Sequence, residues 1–327
     1  MNYSFFGTCA NDYKEFFGCL TSILKQTVIP KEIILVNSGR KNIEKKILKK
    51  IDRKNIKLVY IARKLNRVKS LNIALDKSTS KYSLRFDTRT RFSRRYAENA
   101  LRILNDNSLK ASVVGGVPRV ISYSEKFEPK LCAEIMQRAY LFFYPKHRNI
   151  KYNGYSSSIY LGCFDTKLLK RIRFNEKKAL LSEDSLIIND FLERGFKAYI
   201  SSNIEVSYLC RTSLINILKL FNTYGYCRAN TIFISKKLFI SFRHLAVFIG
   251  LVLTLFVLSS FSFFYILLVP FILLLFNFCG ELSYEFNLFK IHVPFFATLC
   301  QLSWILGFFW QLFSILRNKN TQSNFIS

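Results

Sequence analysis

Glu32-Ile33-Ile34-Leu35-Val36-Asn37-Ser38-Gly39 reads as a buried strand running into a turn. The unbroken aliphatic run fits a strand covered on both faces, and Asn-Ser-Gly supplies the residues that tight turns favour. On its N-terminal side lie a short apolar stretch, 3–9, and a segment, 14–26, with Phe16, Phe17, Leu20, Ile23 and Leu24 at helical spacing. On its C-terminal side come a basic helix at about 42–52, a strand Lys57-Leu58-Val59-Tyr60-Ile61 and a helix around 67–76. The strand Tyr82-Ser83-Leu84-Arg85-Phe86 follows and stops at Asp87. Strands alternating with helices predict an α/β fold with a mostly parallel sheet. Ligands then bind at the carboxyl ends of the strands, where Asn37 and Asp87 stand.

Farther along, 112–116 (Ser-Val-Val-Gly-Gly) reads as a strand and 130–144 as a helix. Leu181-Ser182-Glu183-Asp184 opens a helix whose Leu186, Ile187, Ile188, Phe191 and Leu192 face one side, and Arg194-Gly195-Phe196 closes it. Glu183 and Asp184 therefore occupy a first helical turn, where the helix dipole favours carboxylates. From the residues alone, the pair is either a charged N-terminal turn or a catalytic one.

Half of the 327 residues are apolar and 16% aromatic, which rules out a disordered or fibrous chain. The uncharged residues cluster at the end: none carries charge from Leu245 to Gly280, or from Val293 to Leu316. A bilayer span needs about 20 apolar residues, so the last third is expected to lie in a membrane. The first uncharged run is too long for one straight span. Either 245–258 and 262–279 pair as a hairpin or one lies along the interface, and 293–316 is the final span, giving two or three crossings. Up to His244 the chain holds 46 basic and 19 acidic residues, a formal charge of +27. Such a surface suits anionic lipid headgroups at the inner leaflet, though compositional bias gives the same excess. Nothing here resembles a nucleic-acid-binding motif. The eight cysteines form no C-x-x-C and read as reduced, buried thiols. The N-terminus has no basic region and no long apolar run, so the polar domain is expected in the cytoplasm and the chain in the inner membrane as a multi-pass protein. His147, His244 and His292 are too scattered for a metal site.

The order of these features resembles a family 2 glycosyltransferase, a nucleotide-sugar enzyme of the GT-A fold. Residues 7–40 carry the likeness through Asn11, Cys19-Leu20, Ser22-Ile23-Leu24, Gln26-Thr27, Pro30, Glu32-Ile33-Ile34, Val36 and Gly39. A narrower similarity, to the succinoglycan-type membrane-anchored branch, rests on Leu71-Asn72-Ile73-Ala74, Leu84 to Arg91, Gly115-Gly116, Gly162-Cys163-Phe164, Ser182-Glu183-Asp184, Tyr208 to Arg211 and Tyr224 to Ala229. A Gly307-Phe308 turn in the hydrophobic tail also fits. The resemblance implies a catalytic domain over 1–230 and interfacial and transmembrane helices over 231–327. It also implies inverting transfer of one sugar from a nucleoside-diphosphate sugar, uridine-linked by family expectation, to a glycan or polyprenyl-diphosphate-linked acceptor.

In that reading Asp184 is the general base, because the acceptor hydroxyl must lose its proton as it attacks the anomeric carbon. Glu183 either orients the acceptor or caps the helix. Asp87 is the first acid of the family's Asp-x-Asp, which meets the ribose and a Mg²⁺ or Mn²⁺ ion bridging the diphosphate. The third position here is Arg89, with Arg91 close behind. A guanidinium cannot ligate a cation but can take two phosphate oxygens, so either arginine is a candidate for diphosphate binding, or else both face solvent or lipid headgroups. Asn37-Ser38 replaces the acidic pair of the base-binding turn, Asn11 is a donor-site candidate or a turn former, and Asn72 belongs with the donor set. Gly162 and Phe164 are acceptor-side candidates. Arg211 and Arg228 would contact a phosphate or lipid diphosphate, or snorkel at the interface. Leu220 stands at the family glutamine and no Arg-Trp pair follows, which argues against a processive synthase. A different class, a non-catalytic membrane scaffold on this fold, would explain the altered Asp87 and Asn37 motifs but not the retained Glu183-Asp184 pair.

Overall fold

A computed structural model describes residues 2–52, 54–138, 149–176, 183–235, 268–282 and 292–322. Contacts divide the chain into two compact units, Met1–Ile121 with Pro145–Leu209, and Ser122–Tyr144 with Cys210–Ser327.

In the first unit the strands are β1 (Tyr3–Cys9), β2 (Glu32–Asn37), β3 (Lys57–Ala62), β4 (Tyr82–Phe86), β5 (Thr90–Phe92), β6 (Ala111–Gly116), β7 (Pro118–Ile121), β8 (Gly154–Tyr155), β9 (Tyr160–Asp165), β10 (Lys197–Ile200) and β11 (Val206–Leu209). Eight of them form one sheet in the order β3-β2-β1-β4-β9-β6-β10-β8, and β5-β11-β7 form a small second sheet. β3, β2, β1 and β4 run parallel, while β9 is antiparallel to both β4 and β6. The sheet is therefore mixed, with the expected parallel half intact.

Period-two alternation divides the core between the two faces. Phe5 of β1, Ile33 and Leu35 of β2, and Leu84 and Phe86 of β4 pack on one side. There they meet α1 (Tyr13–Ile23) through Phe16 and Leu20, α2 (Glu44–Ile51) through Ile47, and α4 (Tyr96–Leu104) through Ala97 and Leu101. Phe6, Ile34 and Val36 point the other way. They meet α3 (Arg67–Lys77) through Leu71 and Leu75, α6 (Thr166–Ile172) through Leu169, and α7 (Glu183–Glu193) through Ile187 and Phe191. Each fully buried aliphatic or aromatic side chain contributes about 2 kcal/mol, and these two layers hold the strand ends still. A bulge in β9, with Leu161 at φ 63° and Gly162 at φ 91°, shifts its register against β6.

The second unit holds α5 (Phe127–Arg138), α8 (Leu214–Ser235) and the helices Leu268–Leu282 and His292–Gln322. Gly225 of α8 lies against the Trp304 backbone, and Gly307 against that of Asn222. Small residues at both points let the two backbones approach closely. Around this crossing Asn222 donates to the Ser303 carbonyl at 3.1 Å, Ser303 to the Leu218 carbonyl at 2.9 Å, and Gln311 to Asn230 at 2.8 Å. Contacts place α8 in this unit. His292–Arg317 is long and apolar enough to cross a bilayer, with mean hydropathy 1.6 over its most apolar window; Pro270–Cys279 is a shorter apolar helix. The expected span 245–258, residues 262–267 of the second expected segment, the basic stretch 236–243, the loop 283–291, residues 139–144, His147, His244 and Leu181-Ser182 lie outside the described residues. Seven of the cysteines are buried as expected, but Cys279 is exposed.

Candidate active site

Strand β4 delivers the site. Leu84 and Phe86 go to one core, so Ser83 and Arg85 must face the other, and Arg85 is fully buried there with its guanidinium near the Phe174 ring. A buried guanidinium needs carboxylate partners. Three converge on it. Nη1 donates to Asp184 Oδ1 and Nη2 to Glu183 Oε1 at 2.9 Å, while Asp87 Oδ1 lies 3.5 Å from Nη2.

A second arginine closes the cluster. Asn66 caps α3 by accepting from the Lys69 amide, which places Arg67 in the first position of the helix. Its Nη2 donates to both oxygens of Asp87, at 2.7 and 2.9 Å, and its Nε to Glu183 Oε1 at 2.5 Å. The Arg67 side chain is 40% exposed against 1% for Arg85. One guanidinium is therefore a buried pivot and the other a surface clasp.

These positions tune the three acids differently. Burial works against the charge of Asp87, but Arg67 and Arg85 outweigh it and hold its carboxyl below the usual range. Glu183 is likewise opposed by burial and held low by Arg85 and Arg67. Asp184 goes the other way, to about 6: desolvation raises it, Arg85 opposes, and the neighbouring Glu183 and Asp87 charges add to the rise. Its side chain remains 39% exposed, so a solvent-side reactant can reach it. A partly exposed carboxylate titrating near neutrality is suited to accepting a proton.

The remaining sequence-derived residues are placed as follows. Asn11 Oδ1 accepts from the Arg40 amide at 3.4 Å in the loop after β1. Asn37 is 2% exposed, donating to the Lys41 carbonyl and Tyr60 Oη at 2.7 Å each and accepting from the Gly39 amide. Asn72 is equally buried and clamps Phe174, donating to its carbonyl at 2.8 Å and accepting from its amide at 3.1 Å. Arg89 lies 3.4 Å from Glu15. Arg91 donates to the carbonyls of Glu15, Thr88 and Thr90 at 3.2, 3.2 and 2.8 Å, packed over Gly18. Its fork braces the backbone between α1 and β5. Phe164 is wholly buried against Phe191, and a side chain at Gly162 would strike its ring at 2.5 Å. Both serve the β9 bulge and core. Arg211 and Arg228 belong to the second unit.

The structure therefore gathers Asp87, Glu183 and Asp184, and adds two residues that sequence reasoning missed as site members, Arg67 and Arg85. It also brings in Asp12, which accepts from Thr88 Oγ1 across the β1 and β4 loops. A divalent ion fits this donor set poorly. Both Asp87 oxygens are already held by guanidinium, and the second acid of the motif is Arg89. Among the described residues no group of three His, Cys, Asp or Glu is placed to hold a metal.

Comparison with known proteins gives a match to the family model described as Glycosyl transferase family 2 over residues 8–171. A curated relative from Methanococcus voltae, dolichyl N-acetyl-alpha-D-glucosaminyl phosphate 3-beta-D-2,3-diacetamido-2,3-dideoxy-beta-D-glucuronosyltransferase, is 25% identical over 236 residues, spanning 66% of this chain and 69% of that protein. Among solved structures, the Pyrobaculum calidifontis mannosyltransferase PcManGT, in complex with GDP-Man and Mn²⁺, aligns with TM-score 0.57 at 14% identity over 94% of this chain and 87% of that one. S. aureus TarS 1–349 aligns with TM-score 0.45 at 16% identity over 70% of this chain and 66% of that one, just under two thirds of its length. At such identity the mannosyltransferase likeness concerns fold alone, and the TarS likeness is too low to carry an argument.

Proposed function

The chain belongs to glycosyl transferase family 2, and from that premise we propose that it is an inverting transferase moving one sugar from a nucleoside-diphosphate sugar to a lipid-linked or surface-polysaccharide glycan. The observation that carries the reading is Asp184. It stands in the first turn of α7, gripped by the buried Arg85, partly open to solvent, with its carboxyl raised to about 6. A general base must be ionised at working pH and still hold a proton once it takes one, and a value near neutrality meets both needs.

In the proposed reaction the acceptor hydroxyl attacks the anomeric carbon from the face opposite the diphosphate. The new carbon–oxygen bond forms as the bond to the diphosphate oxygen breaks, the electron pair stays on the nucleoside diphosphate, and the hydroxyl proton passes to Asp184. The donor lies along the carboxyl ends of β1, β2 and β4, beside Asn11, Asp87 and Arg89. Asn37, Asn72 and Arg91 shape that edge through the loops they hold, and Glu183 keeps Arg85 and Arg67 in place. Gly162 and Phe164 fix the β9 bulge on the acceptor side. Arg211 and Arg228 are kept as candidates for the acceptor's phosphate.

The acceptor class is supported by the M. voltae relative, whose name specifies a dolichyl-linked sugar phosphate. A uridine-linked donor rests on family expectation. Membrane attachment through His292–Arg317 is supported by the exposed Phe295, Leu306, Trp310, Phe313 and Leu316 on that helix.

The test is nucleotide release by the full chain in detergent, with UDP-linked sugars and GDP-mannose as donors and polyprenyl-phosphate-linked sugars as acceptors. Acceptor-dependent release that falls by about 10²–10⁴ in Asp184→Asn is expected. Equal acceptor-dependent release by the variant would remove Asp184 from the role of base, and no release by any folded sample would return the chain to the scaffold reading.

A further inference from the structure

Asp87 is the residue through which the family likeness would bring in a divalent ion, and in this chain a guanidinium already occupies it. Arg67 binds both its oxygens, reaches Glu183 as well, and is the exposed member of the arginine pair. The second acid that would share the ion is Arg89. The same carboxyl edge carries further exposed cations: Arg40 and Lys41 after β2, Arg63 and Lys64 after β3, and Lys69 in the first turn of α3. Cation supply at this edge is therefore built from side chains.

We propose that Arg67 takes the role of the divalent ion, so that this chain binds its nucleoside-diphosphate donor without metal. In the ligand-free chain the Arg67 fork rests on Asp87 and Glu183. When a donor enters, the fork turns outward onto the diphosphate oxygens, and Asp87 is released to accept from the ribose hydroxyls. A planar fork matches two phosphate oxygens as well as it matches a carboxylate, so the exchange replaces one bidentate pairing with another. As the bond from the anomeric carbon to the diphosphate breaks, the negative charge gained by the departing nucleoside diphosphate meets the Arg67 guanidinium. Arg85, buried and tied to Asp184 and Glu183, stays behind as the pivot that keeps the base in place. The inference rests on the donor site proposed above and adds the identity of its cation.

The experiment is isothermal titration of the full chain in mild detergent with UDP and with GDP. Each titration is run in EDTA and again with Mn²⁺, for the wild type, Arg67→Ala and Arg67→Lys, with thermal unfolding as the check on folding. One nucleotide should bind the wild type with affinities in EDTA and in Mn²⁺ that agree within about threefold. Hydrogen bonds to charged groups are worth about 1.5–3 kcal/mol, so Arg67→Ala should weaken binding in EDTA by about 10–100-fold. Arg67→Lys should fall between, because it keeps the charge and loses the fork. Wild-type binding that appears only with Mn²⁺, or Arg67→Ala binding as tight as wild type in EDTA, would overturn the proposal while leaving the transferase reading standing. Absence of binding by any folded sample under both conditions would remove that reading and this inference together.

Discussion

Replacing Arg85 by methionine keeps length and apolar bulk while deleting the charge that three carboxylates share. At an effective dielectric of about 20 and a separation of about 4 Å, one such pairing is worth about 4 kcal/mol, or about three pKa units. Water entry and adjustment of Arg67 will recover part of it, so the carboxyl of Asp184, at about 6 in the wild type, should rise by about 1.5 units. The ionised fraction near pH 7 then drops from about nine-tenths to about a quarter. The assay is the pH dependence of kcat/KM for nucleotide release, whose acidic limb reports the base of the free enzyme. In Arg85→Met that limb should move up by one to two units (roughly), and activity should recover toward alkaline pH. Removing one partner of a buried ionic network costs about 3–5 kcal/mol of stability, so Arg85→Lys is the companion variant, with a smaller shift in the same direction. A folded Arg85→Met enzyme whose acidic limb stays where the wild type has it would refute the positioning role.

Three other outcomes follow from the geometry. The folded-state carboxyl of Asp184 lies above its ordinary value, so its stabilising proton is bound at low pH and lost as pH rises through about 6. Asp184→Asn should therefore slow transfer as stated above without lowering the melting temperature near neutrality, and its advantage over wild type should shrink in acid; a lower melting temperature at neutral pH than wild type would contradict this. Asn72→Leu strips both hydrogen bonds that hold Phe174 and leaves a buried amide and carbonyl unpaired, at a cost of about 2–3 kcal/mol in denaturant unfolding; a cost below about 0.5 kcal/mol would show the clamp to be dispensable. Gly225→Leu and Gly307→Leu should each separate α8 from the last helix and lower the yield of monodisperse protein in detergent, whereas Leu306→Ala, on the exposed side, should leave it unchanged.

The parallel half of the sheet was legible because its strands are covered on both faces and write themselves as aliphatic runs: 32–36, 57–61 and 82–86 were read within a residue of the observed limits. The closing glycine of α7 was legible for a similar reason, since Gly195 adopts φ 81° just past the helix. β9, which carries Gly162-Cys163-Phe164, leaves no strand signature in the sequence, because its antiparallel insertion between β4 and β6 depends on pairing rather than on local pattern. The small sheet β5-β11-β7 escaped notice because its strands are only three or four residues long.

At the site, Glu183, Asp184 and Asp87 were found as carboxylates, but their organisers were not. The signal for Arg85 was present: an arginine alternating with Leu84 and Phe86 in a central strand must be buried, and a buried arginine requires acids. Arg67 left no such trace, since an arginine in a first helical turn is ordinarily a surface residue. Asn37 and Asn72 were read by position in a motif, yet their amides are spent on Tyr60, Lys41 and Phe174, contacts set only by tertiary packing.

The most direct test of the central claim is an experimentally determined structure of the full chain with UDP or GDP bound, whichever nucleotide the titrations select. The account predicts the diphosphate at the carboxyl edge of β1 and β4 within hydrogen-bonding reach of Arg67, the ribose at Asp87, and Asp184 still held by Arg85 and facing open space beyond the diphosphate. A nucleotide bound elsewhere, or bound there with the Arg67 fork still closed on Asp87 and Glu183, would contradict it.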